Sequence, residues 1–154
     1  DGSWMVGVYG GQTNFKFSTA KMPIPEGGKA ATNMGGEHLV LFASDDARQN
    51  AAFTFIQWLT DTKTQVTWDQ GTSFMPIRQS VADNTDFKKW VTDSQPNLFP
   101  FVESQQYAIN RPAVAVYSEL SDVFSANLER ALYGQVSTKD ALTNPEVAVN
   151  ALLK

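Results

Sequence analysis

Cysteine is absent from the 154 residues, and its absence removes disulfides, thiolate nucleophiles and Cys-ligated zinc together. Histidine is nearly absent too: His38 stands alone, so a transition-metal site would have to be built without a second imidazole. Positive charge is thin. Twelve Lys and Arg against sixteen Asp and Glu leave a net charge of -4, and the longest basic run is the pair Lys88-Lys89, which argues against a phosphate-backbone partner. No apolar run approaches the roughly 18 to 20 residues that span a bilayer. There is no P-loop, nucleophile elbow or catalytic-triad pattern, and Gly7-x-x-Gly10-Gly11 makes no dinucleotide fingerprint because no long helical pattern follows it.

What remains is the composition of a globular protein, with 42% hydrophobic, 18% charged and 12% aromatic residues. The length allows one domain with a sizeable core. The opening Asp1-Gly2-Ser3-Trp4-Met5 has neither a basic start nor a small-residue cleavage site, and the expectation is an excised piece of something longer. The lack of cysteine does not choose between a secreted and a cytosolic compartment.

Periodicity and punctuation divide the chain. An apolar segment, Trp4 to Tyr9, ends at Gly10-Gly11, and Phe15 to Ser18 alternates as a strand would. Met22-Pro23-Ile24-Pro25-Glu26-Gly27-Gly28 breaks regular structure, and Lys29 to Met34 reads as an exposed loop. Glu37 to Phe42 reads as a buried strand. Ser44 is then a candidate N-cap, with Asp45 and Asp46 in the first turn where the helix dipole favours negative charge. Apolar positions 52, 55, 56 and 59 share one helical face, Val66 extends it beyond Asp61, and Gly71 ends the pattern. A second helix is expected over Phe87 to Thr92, a break over Asn97 to Pro100, and the type of Phe101 to Ile109 stays open. The clearest helix runs from about Tyr117 to Tyr133 on the stripe Leu120, Val123, Phe124, Leu128, Ala131 and Leu132, with Gly134 as its C-cap. Ser137-x-x-Asp140 resembles a capping box, and Asn144-Pro145 is expected to restart another turn. No internal repeat or low-complexity tract is present.

The order of these signals carries a resemblance. Gly35-Gly36, the strand-like Glu37 to Phe42, the amphipathic stretch ending in Trp58-Leu59, and Phe74-Met75-Pro76 follow one another as in the extracellular solute-binding proteins of ABC importers, carbohydrate-binding type. Gly2-Ser3-Trp4 resembles that family's small-small-Trp segment, and Pro23-Ile24-Pro25 with its glycines resembles the family's proline-glycine loop. Gln70-Gly71-Thr72-Ser73-Phe74-Met75-Pro76 departs modestly from the usual Thr-Gly-Tyr-Leu-Pro: Phe74 keeps a stacking surface and loses a hydroxyl. Arg111-Pro112 with Tyr117 resembles the return of the chain to the cleft, and Tyr133-Gly134 followed by Ser137-Thr138-Lys139-Asp140-Ala141-Leu142 resembles the closing helix pair.

The resemblance implies an α/β fold, here the helix-rich C-terminal half of a two-lobed periplasmic-binding-protein (type II) architecture with the N-terminal half absent. Residues from about 1 to 34 would lie in one lobe, about 35 to 110 would cross to the other, and about 111 to 154 would be return helices. It implies no catalysis and no cofactor. The expected solute is a mono- or oligosaccharide held by Ser3, Trp4, Gly35, Gly36, Phe74, Arg111 and Tyr117, and the expected partner is a membrane permease. The compartment would be extracytoplasmic, periplasmic or cell-surface, with a lipoprotein anchor in the absent part. The residue types suit that chemistry. Sugar C–H faces lie on aromatic rings, hydroxyls pair with planar donors such as Arg, and glycines allow close backbone approach.

Each of these residues has a structural competitor. Trp4 and Phe74 can be core, the glycine pair can serve a turn, and Arg111 can be a solvated or paired surface cation. Trp58 reads as packing. Glu37 and His38 would point to opposite faces of a strand and so would not converge on a metal or a proton. Two other functions stand beside capture. A glycosidase could draw on Glu37, Asp69 and Glu119, although no spacing brings two of them together. A helical interaction module could use the Leu120 to Leu132 stripe. A chain holding parts of both lobes is also expected to leave apolar faces unburied and its cleft incomplete, unless it repacks, swaps with a copy of itself or keeps its missing half.

Overall fold

Side-chain caps decide where the longer helices begin. In the computed structural model, which describes residues 1–12 and 14–153, α1 covers Trp4–Gly10 and a short strand β1 covers Thr32–Met34. Helix α2, Asp46–Leu59, starts where the Asp45 carboxylate accepts the Arg48 N–H at 3.0 Å. Helix α3, Thr62–Thr72, starts where Asp61 accepts the Thr64 N–H at 2.8 Å. After the single turn α4, Gln79–Ala82, the Asn84 side chain accepts the N–H groups of Asp86 and Phe87 and opens α5, Thr85–Ser94. Each cap satisfies a donor that the first helical turn would otherwise orphan. A 3₁₀ turn at Pro96–Leu98 leads into α6, Phe99–Ser104, and a second at Gln105–Tyr107 leads into β2, Ala108–Asn110. Strands β1 and β2 pair in parallel, Thr32 opposite Ala108 and Met34 opposite Asn110.

The chain divides into two compact units, Asp1–Asn110 and Arg111–Lys154. In the first, Val6 of α1, Phe87 and Val91 of α5, and Leu98 form the buried core, with Phe17, Val66, Met75, Trp90, Phe101 and Val102 packed around it. Polar clasps fix the surrounding elements. Gln105 Nε2 donates to the Pro76 carbonyl at 3.1 Å, Thr19 Oγ1 donates to the Asn97 carbonyl at 2.6 Å, and the Arg78 guanidinium donates to the Thr60 carbonyl. The second unit is a helical hairpin of α7, Tyr117–Leu132, and α8, Thr138–Leu152. Gly134 turns the chain at φ 69°, a left-handed conformation that costs glycine little. Ser137 caps α8 by accepting the Asp140 N–H at 3.0 Å, while its hydroxyl donates to the Asp140 carboxylate at 2.7 Å.

Several sequence expectations are corrected. Glu37 to Phe42 forms no strand and every residue of it is exposed. Its apolar, β-prone composition meets no neighbouring ladder, and a strand exists only as part of a pair. Phe15 to Ser18 likewise pairs with nothing; Phe15 and Phe17 instead cluster edge-on with Tyr9. The loop expected over Lys29 to Met34 contains β1, whose partner lies far along the sequence and so leaves no local trace. The cap of α2 is Asp45, not Ser44. The break expected over Asn97 to Pro100 is helical, because Pro96 and Pro100 occupy first-turn positions where a missing N–H is no loss. Asn144-Pro145 does not restart a turn. Helix α8 runs through Pro145, whose ring is buried and offsets the lost backbone bond by packing. Trp58, expected to pack, is 55% exposed, and α2 has no buried residue at all.

Candidate functional site

An exposed tryptophan at a helix start marks the candidate site. Ser3 precedes α1 and is buried, while Trp4 at the first helical position is 50% exposed. The indole folds back over Gly2, so closely that a Cβ there would lie 2.0 Å from the six-membered ring. Only glycine allows this placement.

A second aromatic reaches the same place from α3. That helix ends on Ser73, buried and left-handed at φ 61° and ψ 23°. After the reversal Phe74 is half-buried, Met75 packs against the core and Pro76 is buried. The Phe74 N–H donates to Thr72 Oγ1 at 3.3 Å. Its ring meets that of Trp4 edge-on, centroids 6.2 Å apart at 85°. Gly7 faces the buried Ser73 hydroxyl: a Cβ on it would stand 3.1 Å from Oγ, so α1 and the end of α3 are closely apposed.

Ser3, Trp4 and Phe74 are therefore brought together within the first unit. Gly35 and Gly36 lie in the exposed stretch after β1, and the space around Gly36 is open. Arg111 is exposed and Tyr117 is half-buried at the start of α7, both in the second unit. Two open depressions, of about 370 Å³ beside Arg78 and about 220 Å³ beside Trp90, are lined by neither Trp4 nor Phe74. Of the aromatic pair, Trp4 is half-exposed and Phe74 is half-buried.

The residues a glycosidase would need are not assembled into a reactive site. Glu37 is exposed in irregular chain, and Glu119 belongs to α7 of the second unit. Asp69 is 1% exposed, so substrate has no access to it. His38 is exposed, and no group of three potential metal ligands exists among the described residues.

Asp69 is nonetheless unusual, and sequence reading missed its surroundings. Its Oδ2 is buried without a hydrogen-bond partner. Burial pushes its pKa up from 3.8 to about 7. It also sits in the last turn of α3, where the helix dipole disfavours negative charge. No local sequence signal marks it; the Ser73 N–H donates to the Asp69 backbone carbonyl at 2.8 Å.

Comparison with known proteins gives this geometry a context. Residues 1–95 match the family model of the bacterial extracellular solute-binding proteins. Among solved structures, the cyclic α-maltosyl-1,6-maltose binding protein of Arthrobacter globiformis is 40% identical with a TM-score of 0.83. The match covers 100% of this chain and 39% of that one. The maltose-bound MalE3 of T. maritima is 27% identical with a TM-score of 0.56, over 71% of this chain and 27% of that one. This chain thus spans well under half the length of either protein, and its fold is part of a two-lobed α/β architecture. On the match over residues 1–95 and the identity across its whole length, the chain belongs to the bacterial extracellular solute-binding proteins.

Proposed function

We propose that this chain supplies one wall of a sugar-capture cleft in the binding component of an ABC importer. The observation that carries the reading is the Trp4–Phe74 pair: two rings held edge to edge, one of them half-exposed, at a helix start. A pyranose ring presents an apolar C–H face that such a surface accepts without any reactive group. The names of the two similar structures, one a binding protein for a cyclic maltosyl-maltose and one bound to maltose, support an α-linked glucose oligosaccharide as the solute class. Ser3, Gly35, Gly36, Arg111 and Tyr117 are proposed as further sugar contacts, supported by the family resemblance alone. The division into lobes at about residues 34 and 110 is proposed on the same ground.

Function here is capture and release. Sugar bound between lobes stabilises a closed form, and a membrane permease reads that form. The compartment is extracytoplasmic, as the family's description states; a lipoprotein anchor is part of the proposal.

Saturation-transfer NMR on the chain tests the reading, because it detects weak contacts. Irradiating aromatic protons should transfer saturation to the ring C–H groups of maltose and of cyclic α-maltosyl-1,6-maltose. Trp4→Ala should abolish most of that transfer. Unchanged transfer in the variant would refute the site, and release of free glucose would restore the glycosidase alternative.

A further inference from the structure

A short chain of contacts links the buried Asp69 to the aromatic pair. Its backbone carbonyl accepts the Ser73 N–H at 2.8 Å, the bond that closes α3. Ser73 is buried, left-handed and set against Gly7 of α1, and the next residue, Phe74, meets Trp4. The place of Phe74 thus depends on the last turn of α3 keeping its geometry.

The Asp69 side chain makes that turn sensitive to a proton. It is 1% exposed, and its Oδ2 has no hydrogen-bond partner. A neutral carboxyl tolerates such a place far better than a carboxylate, which needs water, donors or a cation. Among the described residues, the elements packed against α3 bring it no cation. On α5, Asp86 is exposed, and the exposed Lys88 and Lys89 pair with Asp83 and Asp93 at 3.3 and 2.9 Å. On α2, Asp46 is exposed and Arg48 pairs with Asp45 at 3.4 Å. Helix α4 carries no titratable residue, and the exposed Arg78 before it is held by Thr60. Lys63 of α3 itself is exposed, and Asp61 caps the opposite end of that helix. On α1, Tyr9 donates to Asp1, and beyond the core Glu103 of α6 pairs with Lys21. A carboxylate at 69 gains water only if the last turn of α3 opens, which breaks the Ser73 bond and frees Phe74.

We propose that Asp69 is a positioning residue for the aromatic pair: its neutral carboxyl keeps the last turn of α3 closed with Phe74 against Trp4, and its ionisation releases them. Only the consequence for sugar rests on the function proposed above; it is that capture weakens as pH rises. Burial holds the carboxyl at about 7 in the closed turn, against 3.8 when it is open to water. Opening therefore becomes more favourable as pH rises from 3.8 to about 7 and levels off above.

Hydrogen exchange on the chain tests this without sugar. After correction for intrinsic exchange, protection of the Ser73 and Phe74 amides should fall together, roughly thirtyfold between about pH 5.5 and 8.5. Both should exchange faster than Val91 in the core at every pH, and in Asp69→Asn their protection should not vary with pH. Every other titrating group is common to the two proteins. Three results would overturn the proposal: protection independent of pH in the parent, the same pH profile in Asp69→Asn, or Ser73 exchanging only together with Val91. The last would mean that Asp69 acts on the fold as a whole. Maltose, added at the higher pH, should restore the protection of Ser73, because sugar on the pair holds the turn closed. If the pH profile appears and maltose restores nothing, the sugar surface is refuted while the positioning stands.

Discussion

Replacing Asp69 by asparagine should make the protein more stable at neutral and alkaline pH, and the gain should vanish in acid. The reasoning starts from a carboxyl that is 1% exposed, with Oδ2 unpartnered and a pKa raised from 3.8 to about 7 by burial. In the folded state the carboxyl keeps a proton that the unfolded chain surrenders near 3.8. Its protonated form therefore supports folding fully below pH 3.8. That support declines as pH rises from 3.8 to about 7 and is gone above. A raised carboxylate pKa reverses the usual direction, in which paired carboxylates lose stability on acidification. Three pKa units correspond to on the order of 4 kcal/mol between the two ends of the window. Asparagine keeps the shape and cannot ionise, but its amide also needs partners, so a gain of about 2–4 kcal/mol at about pH 8 is expected. Urea unfolding of both proteins at a series of pH values between about 4 and 8 isolates the group, since the other carboxylates are common to the pair. The difference in stability should grow from near zero to its plateau as pH rises. A pH-independent difference, or a variant less stable than the parent at pH 8, would refute the argument.

Two further substitutions probe the scaffold of the site. Ser73→Gly relieves a left-handed residue at φ 61° and should raise stability by about 0.5–1 kcal/mol, read as a higher urea midpoint with unchanged slope. Phe87→Ala removes a ring buried at the centre of the first unit and should cost about 3–5 kcal/mol, with the loss seen in Trp90 emission because the two rings lie 5.9 Å apart.

The candidate site is a consequence of where two chain reversals fall. Trp4 is placed by a helix start over Gly2, and Phe74 by a left-handed residue after α3. Gly7, three residues after Trp4, and Ser73, next to Phe74, are closely apposed: a Cβ on Gly7 would stand 3.1 Å from Ser73 Oγ. A substitution at Gly7 or Ser73 can therefore move the pair without touching either aromatic.

Local signals in the sequence determined the helices that carry their own caps and stripes. The helix over Phe87 to Thr92, the helix from Tyr117 ending before Gly134, and the Ser137-x-x-Asp140 cap all appear in the structure, although the Leu120 to Leu132 stripe is not a core: α7 has no buried residue and Leu132 is 79% exposed. These features need only neighbours within a few residues, which is why they were legible. The family order of Gly-Gly, helix and Phe-x-Pro was legible as a pattern along the chain, and the match over residues 1–95 supports the family it pointed to. Only the tertiary structure decided the rest. The pairing of β1 with β2 joins residues far apart in sequence, the encounter of Trp4 with Phe74 depends on how α1 lies against α3, and the burial of Asp69 depends on what surrounds it. Glu37 to Phe42 shows the limit most directly. Its composition favours a strand, but a strand is a relation between two segments, and no other segment among the described residues pairs with it.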